Sequence, residues 1–112
     1  MKKLILTATS AALLMMSGAA SASQDLAQKN ACLSCHAVDT PVYGPAFKDV
    51  AAKYAGNQAA HDMLVAKVKA GGKGVWGRRI MPANPGVKPE DLDKIISWVL
   101  GLPGTGMDVA RQ

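Results

Sequence analysis

The chain has 112 residues, a formal net charge of +5, two cysteines and few aromatics. That is enough for one small domain with a modest core, only marginally stable by itself. So slight a charge, beside the export signal that opens the chain, does not point to nucleic acid as a partner.

Met1-Lys2-Lys3 is a basic start, and Leu4 to Met16 is a mostly apolar run too short to span a bilayer. Ala20-Ser21-Ala22 then offers a small-x-small cleavage site. The pattern predicts a cleaved signal peptide over 1–22, cut after Ala22, with Ala20 the second choice. No cysteine stands at the cleavage point to take a lipid, so no membrane anchor is expected. The mature chain from Ser23 keeps 11 basic residues against 8 acidic ones, a balance of +3. It is expected to be soluble in the periplasm.

Ser23 can cap a first helix, with Asp25 in its first turn where the helix dipole favours negative charge. Leu26, Ala27, Asn30 and Ala31 lead that helix into Cys32-Leu33-Ser34-Cys35-His36. Cys-x-x-Cys-His is the attachment signature of a c-type haem. On a helix Cys32 and Cys35 project from one face. Two thiols so placed can form thioethers with the vinyl groups on one porphyrin edge. His36, four positions after Cys32, lies on the same side and can turn an imidazole nitrogen onto iron.

Rival chemistries share the cysteine spacing. A thioredoxin-like dithiol wants a strand-to-helix transition in a βαβ unit, and no β-branched run precedes Cys32. A structural zinc site wants four ligands, and His61, in a separate helical segment, is the one other candidate. A disulfide is the tendency of two thiols in an oxidising compartment, which haem thioethers would pre-empt.

Thr40-Pro41 and Gly44-Pro45 then break the chain into a loop. Phe47 to Tyr54 reads as a short helix with Phe47, Val50, Ala51 and Tyr54 on one face, ended by Gly56. Asn57 caps the next helix, about 58–70, with Leu64, Val65 and Val68 as its stripe and Lys67 and Lys69 outside it. Gly71-Gly72 stops it. Residues 71–87 hold Gly and Pro breakers and no sustained period, which predicts a long loop. Trp76 and Met81 lie in it and argue that the loop is functional.

Pro89, Glu90 and Asp91 announce the last helix. Leu92, Ile95, Ile96 and Val99 form its buried stripe, Trp98 its flank and Gly101 its end. The Gly-rich tail, 102–112, is expected to be disordered. No strand pattern and no repeat is present, so residues 23–101 are expected to form an all-α domain of about four short helices. A large flat cofactor would supply the core that so few aromatics leave short.

With His36 on one side of an iron, the other side is open to Met63, Met81, Met107 or His61. Met107 lies in the tail, and Met63 and His61 lie outside the apolar stripe of their helix. Met81, followed by Pro82 in a Gly- and Pro-punctuated loop, is the choice, against the plainer role of core filler. His/Met ligation raises the reduction potential and leaves no place for substrate. That is a carrier's chemistry. The alternative is a haem enzyme or gas sensor with an open sixth position.

Beyond the pentapeptide, the run Val42-Tyr43-Gly44-Pro45-Ala46-Phe47 continuing to Tyr54, Gly74-Val75-Trp76-Gly77, Met81-Pro82-Ala83-Asn84 and Trp98-Val99-Leu100 follow in order. Order and spacing resemble the small class I bacterial cytochromes c of the c-551 type. The resemblance implies the class I cytochrome c fold round one covalent haem c, and a monomeric periplasmic one-electron carrier. It would shuttle between larger redox proteins such as a bc-type complex, a terminal oxidase or a nitrite reductase.

It further implies that the Pro45 carbonyl accepts the His36 N–H, that the Trp76 indole and Lys67 lie near a haem propionate, and that Asn84 lies near the Met81 sulfur. Lys67, Lys69, Lys73, Arg78 and Arg79 fall in 13 residues without an acid. Lys69, Lys73, Arg78 and Arg79 are the expected docking surface for an acidic partner. The sequence departs from the family's pattern at Arg78-Arg79-Ile80, where a proline often precedes the methionine, at Pro85-Gly86, which lengthens the loop, and in the tail.

Overall fold

In the computed structural model, which describes residues 11–104, four helices are arranged so that the last packs against each of the others. They are α1 (Ala11–Lys29), α2 (Phe47–Lys53), α3 (Ala60–Ala70) and α4 (Pro89–Leu100). In α4, Pro89 has no N–H to leave orphaned, and Glu90 and Asp91 sit at the positive end of the dipole. Leu92, Ile95, Ile96 and Val99 recur at helical spacing and are all buried. Ala27 of α1, Phe47 and Val50 of α2, and Leu64 of α3 meet them in one core. Each large apolar side chain so removed from water contributes about 1.5–3 kcal/mol.

The first N–H groups of a helix lack partners within it. In α2 two of them turn back to the preceding loop: Phe47 N donates to the Ala37 carbonyl at 2.9 Å, and Lys48 N to Val38 at 3.1 Å. These bonds fold the 37–46 loop under α2 and hold the pentapeptide beside the core. Helix α3 begins at Ala60, later than expected, because Asn57 Oδ1 takes the Ala59 N–H at 3.0 Å and shapes a turn that leads in.

Helix α1 departs from expectation at both ends. In the unprocessed chain it runs unbroken through Ala22 and Ser23, so there Ser23 caps nothing. The Ala- and Leu-rich residues before it are strong helix formers, and a helix once nucleated there propagates through Ser23. At its other end α1 stops at Lys29. Ala31 takes the left-handed conformation, φ 62°, and a separate 3-10 turn holds Cys32–Ser34. The cysteine pair therefore rides on a tight turn and not on the helix.

The expected disorder after Gly101 does not begin there. Leu102 N bonds the Val99 carbonyl at 3.2 Å, and its side chain packs on the core. Gly104 lies so close to Ala52 that a Cβ would approach Ala52 Cβ to 2.9 Å. The first ten residues of the expected signal peptide, and 105–112 of the tail with Met107, lie outside the described residues. Among the described residues no strand forms, and no helix is long and apolar enough to cross a membrane. The protein is all-α.

Candidate functional site

The turn at Cys32–Ser34 sets the first wall of the site. Cys35 N and His36 N both bond the Cys32 carbonyl, at 3.2 and 3.0 Å, so Cys32, Cys35 and His36 stay together although the helix has ended. All three line one cavity of about 630 Å³, floored by apolar side chains of α3 and α4 such as Leu64, Leu92 and Ile95. That volume lies within the usual range for ligand sites, roughly 300–1,000 Å³.

His36 is fixed from three sides. Its Nδ1 lies 2.7 Å from the Pro45 carbonyl oxygen, as expected. A carbonyl can only accept, so Nδ1 carries the proton and Nε2 keeps a lone pair for an electrophile. The ring stacks on Phe47 at 4.9 Å between centroids, and Phe47 in turn meets Trp98 edge-on at 5.7 Å. Gly44 completes the cradle, since a Cβ there would come within 2.5 Å of His36 Cε1.

Met81 lines the same cavity, brought there by the geometry of its loop. Gly71, at φ 80°, ends α3, and a Cβ there would meet the Met81 carbonyl at 2.8 Å. The chain leaves α3, circles, and is pinned back on it. Gly72 and Met81 exchange two backbone hydrogen bonds, at 3.0 and 2.9 Å, and Asn84 N donates to the Val68 carbonyl at 2.9 Å. Met81 is thus anchored at its own backbone and again three residues on. Asn84 also lines the cavity, its Nδ2 donating to the Pro82 carbonyl at 3.0 Å.

The other two methionine and histidine candidates stand elsewhere. Met63 is exposed on α3. His61 spans to α4, with Nδ1 3.0 Å from Asp62 Oδ1 and Nε2 2.9 Å from Asp93 Oδ1.

Trp76 lines the cavity but is 43% exposed, not the buried ring its chemistry alone suggests. Gly74 and Gly77, both at positive φ, turn the chain on either side of it. Lys53 Nζ stands 5.4 Å from the Trp76 ring centroid, a contact no sequence pattern announced. Lys67 reaches the cavity too, its stem lying along Gly72 where a Cβ would meet Lys67 Cγ at 3.3 Å. Lys73, Arg78 and Arg79 join it on the lining, with Asp49 the one carboxylate there among the described residues. Lys69 is not part of the lining.

The residues fit a haem. Two thiols, an imidazole and a thioether-bearing residue line one space, the floor is apolar, and the basic lining suits a cofactor with two carboxylates. Zinc fits poorly, because among the described residues no three His, Cys, Asp or Glu side chains cluster to hold a metal ion. A reactive dithiol fits poorly as well. Burial pushes the Cys32 thiol pKa up, opposite to the lowering that activates such thiols.

Gly44 and Phe47 are contributors that sequence reasoning missed, and Arg79 reads in sequence only as one of the docking cations. The Gly44-Pro45 pair signals only a turn, and nothing in Phe47 distinguishes a ring on the ligand from a ring in the core.

An all-α domain with a haem-attachment turn at the edge of its core defines a class, and comparison with known proteins agrees with it. Residues 20–103 match the family model described as cytochrome c. Cytochrome c-551 of Allochromatium vinosum is 54% identical over 77 residues, 69% of this chain and 82% of that protein. Cytochrome c-552 of Nitrosomonas europaea is 45% identical over 102 residues, 91% of this chain and 99% of that one. The crystal structure of wild-type N. europaea cytochrome c552 superposes with a TM-score of 0.68 at 48% identity, covering 70% of this chain and 98% of that one. The chain belongs to the cytochrome c family, and within it to the small class I cytochromes of the c-551 type. One covalently bound haem c comes with that membership.

Proposed function

We propose that the mature protein is a periplasmic one-electron carrier, attached to its haem through Cys32 and Cys35 and ligating the iron with His36 and Met81. The observation that carries this reading is that His36, with Nδ1 already bonded, and Met81, anchored at its own backbone and at Asn84, line one cavity. The bound haem supplies a one-electron ferric–ferrous couple, whose potential a thioether ligand raises. Pro45 and Phe47 hold the imidazole in one tautomer and plane. The Gly72–Met81 bridge holds the sulfur-bearing residue against the C-terminal end of α3. With both ligands supplied by the chain, no position remains for a substrate, and the protein is a carrier and not an enzyme.

The basic segment at the cavity steers an acidic redox partner into brief contact, as transient pairs of this kind require. The candidate partners are a bc-type complex, a terminal oxidase or a nitrite reductase. Export follows from the signal peptide over 1–22, and the functional unit is a monomer.

Carbon monoxide tests the reading against an open-site haem enzyme or gas sensor. The ferrous wild type should bind it negligibly at neutral pH, and Met81→Ala should bind it readily. Rapid binding by the wild type would identify the open-site alternative.

A further inference from the structure

Arg78-Arg79-Ile80 is where the sequence departs from the family's pattern, and the structure gives Arg79 a task there. Its Nη1 donates to the carbonyl oxygens of Val42 at 2.8 Å and Tyr43 at 3.0 Å, both in the other loop that lines the cavity. Its guanidinium carbon stands 5.1 Å from the Tyr43 ring centroid, over the ring.

Both ends of this link lie close to the proposed ligands. Tyr43 is two residues before Pro45, which holds His36, and Gly44 N bonds the Cys35 carbonyl at 2.7 Å. Arg79 is two residues before Met81. Among the described residues, the segment 73–80 makes no backbone–backbone hydrogen bond, so the two Arg79 bonds, beside the Lys53–Trp76 contact, are what tie it to the other wall.

Resting on the reading of His36 and Met81 as the ligand pair, we propose that Arg79 is a positioning residue that clasps the Met81 loop to the His36 loop. The clasp favours the arrangement in which both walls face the cofactor. An external ligand competing for the iron must first displace Met81, so its apparent affinity is reduced by the scarcity of the open arrangement. Releasing the clasp makes that arrangement less scarce. Arg79→Lys keeps the charge, but its shorter side chain stops short of the Nη1 position and gives up the planar guanidinium over Tyr43. Arg78, which makes no hydrogen bond among the described residues, is the matched charge control.

The test is imidazole binding to the ferric holoprotein, read from the absorption spectrum, in wild type, Arg79→Leu, Arg79→Lys and Arg78→Leu. Both Arg79 variants should bind imidazole about tenfold more tightly than wild type, and Arg78→Leu should match wild type. Wild-type affinity in Arg79→Lys, or an equal gain in Arg78→Leu, would overturn the clasp in favour of simple charge. Should Arg79→Leu fail to fold, Arg79→Lys decides. A wild type lacking the far-red methionine-to-iron band would overturn the ligand assignment and the clasp with it. A wild type with the band and no change in the variants would overturn the clasp alone.

Discussion

His36 is gripped by Pro45, Phe47 and Gly44, each by a different force: a hydrogen bond, a stacked ring and the absence of a Cβ. The pentapeptide announced the histidine, and the resemblance supplied Pro45. Gly44 was invisible, because whether a glycine serves a turn or a close approach depends on what lies across from it. Arg79 was misleading for a similar reason. In sequence it is one cation in an acid-free run, and only the folded chain puts the Val42 and Tyr43 carbonyls beside it. His61 looked like a spare ligand and is instead a link between α3 and α4. Its hydrogen bond with Asp62, then the backbone and charge of Asp93, raise its pKa above the usual imidazole value despite slight desolvation. A raised folded-state pKa means the stabilisation is full below the unfolded value of about 6.5 and lost as pH rises through the folded one. The pair is near the surface, so the effect is small, about 0.2–1 kcal/mol. His61→Ala should therefore lower the thermal midpoint slightly at about pH 5.5 and leave it unchanged at about pH 8.5. Equal losses at both pH values would mean that the link does not titrate.

Among the elements, α4 was legible almost residue for residue, because cap, dipole and apolar period all point the same way. Helix α1 was not. Its boundary with the cysteines is set by Ala31 at positive φ, and an alanine gives no sign of that conformation. The tail was misjudged at Leu102, whose single apolar side chain among glycines and a proline still found the core. Breakers correctly marked 71–87 as a loop. They could not show that it returns to α3 through the Gly72–Met81 bridge, since two isolated backbone bonds leave no side-chain period. Because α4 supports both the core and the cavity floor, damage to it should reach the site. Leu92 is 1% exposed and lines the cavity, so Leu92→Ala should cost about 2–5 kcal/mol. Chemical unfolding of the holoprotein would read this. A cost below about 1 kcal/mol would mean that the space at Leu92 refills freely.

The whole molecule is mildly basic, and its positive residues are concentrated along the segment that borders the cavity. Val42, Tyr43, Val75, Trp76 and Ile80 are exposed beside them, so an apolar lip and a basic rim share one face. Long-range attraction between exposed charges is screened within about 10 Å at 0.1 M salt. Electron exchange with an anionic partner should accordingly slow as salt rises, measured by stopped-flow, and a rate flat in salt would remove the steering role of Lys73 and Arg78. The covalent haem was legible from five residues, the all-α class from periodicity and breakers, and the fold itself from the resemblance. The second ligand needed an argument by elimination, and it is the claim on which the carrier function turns. The far-red absorption of the ferric holoprotein tests it most directly. The account predicts a methionine-to-iron charge-transfer band in the wild type, kept in Met63→Ala and lost in Met81→Ala. A band that survives Met81→Ala, or disappears in Met63→Ala, would contradict it.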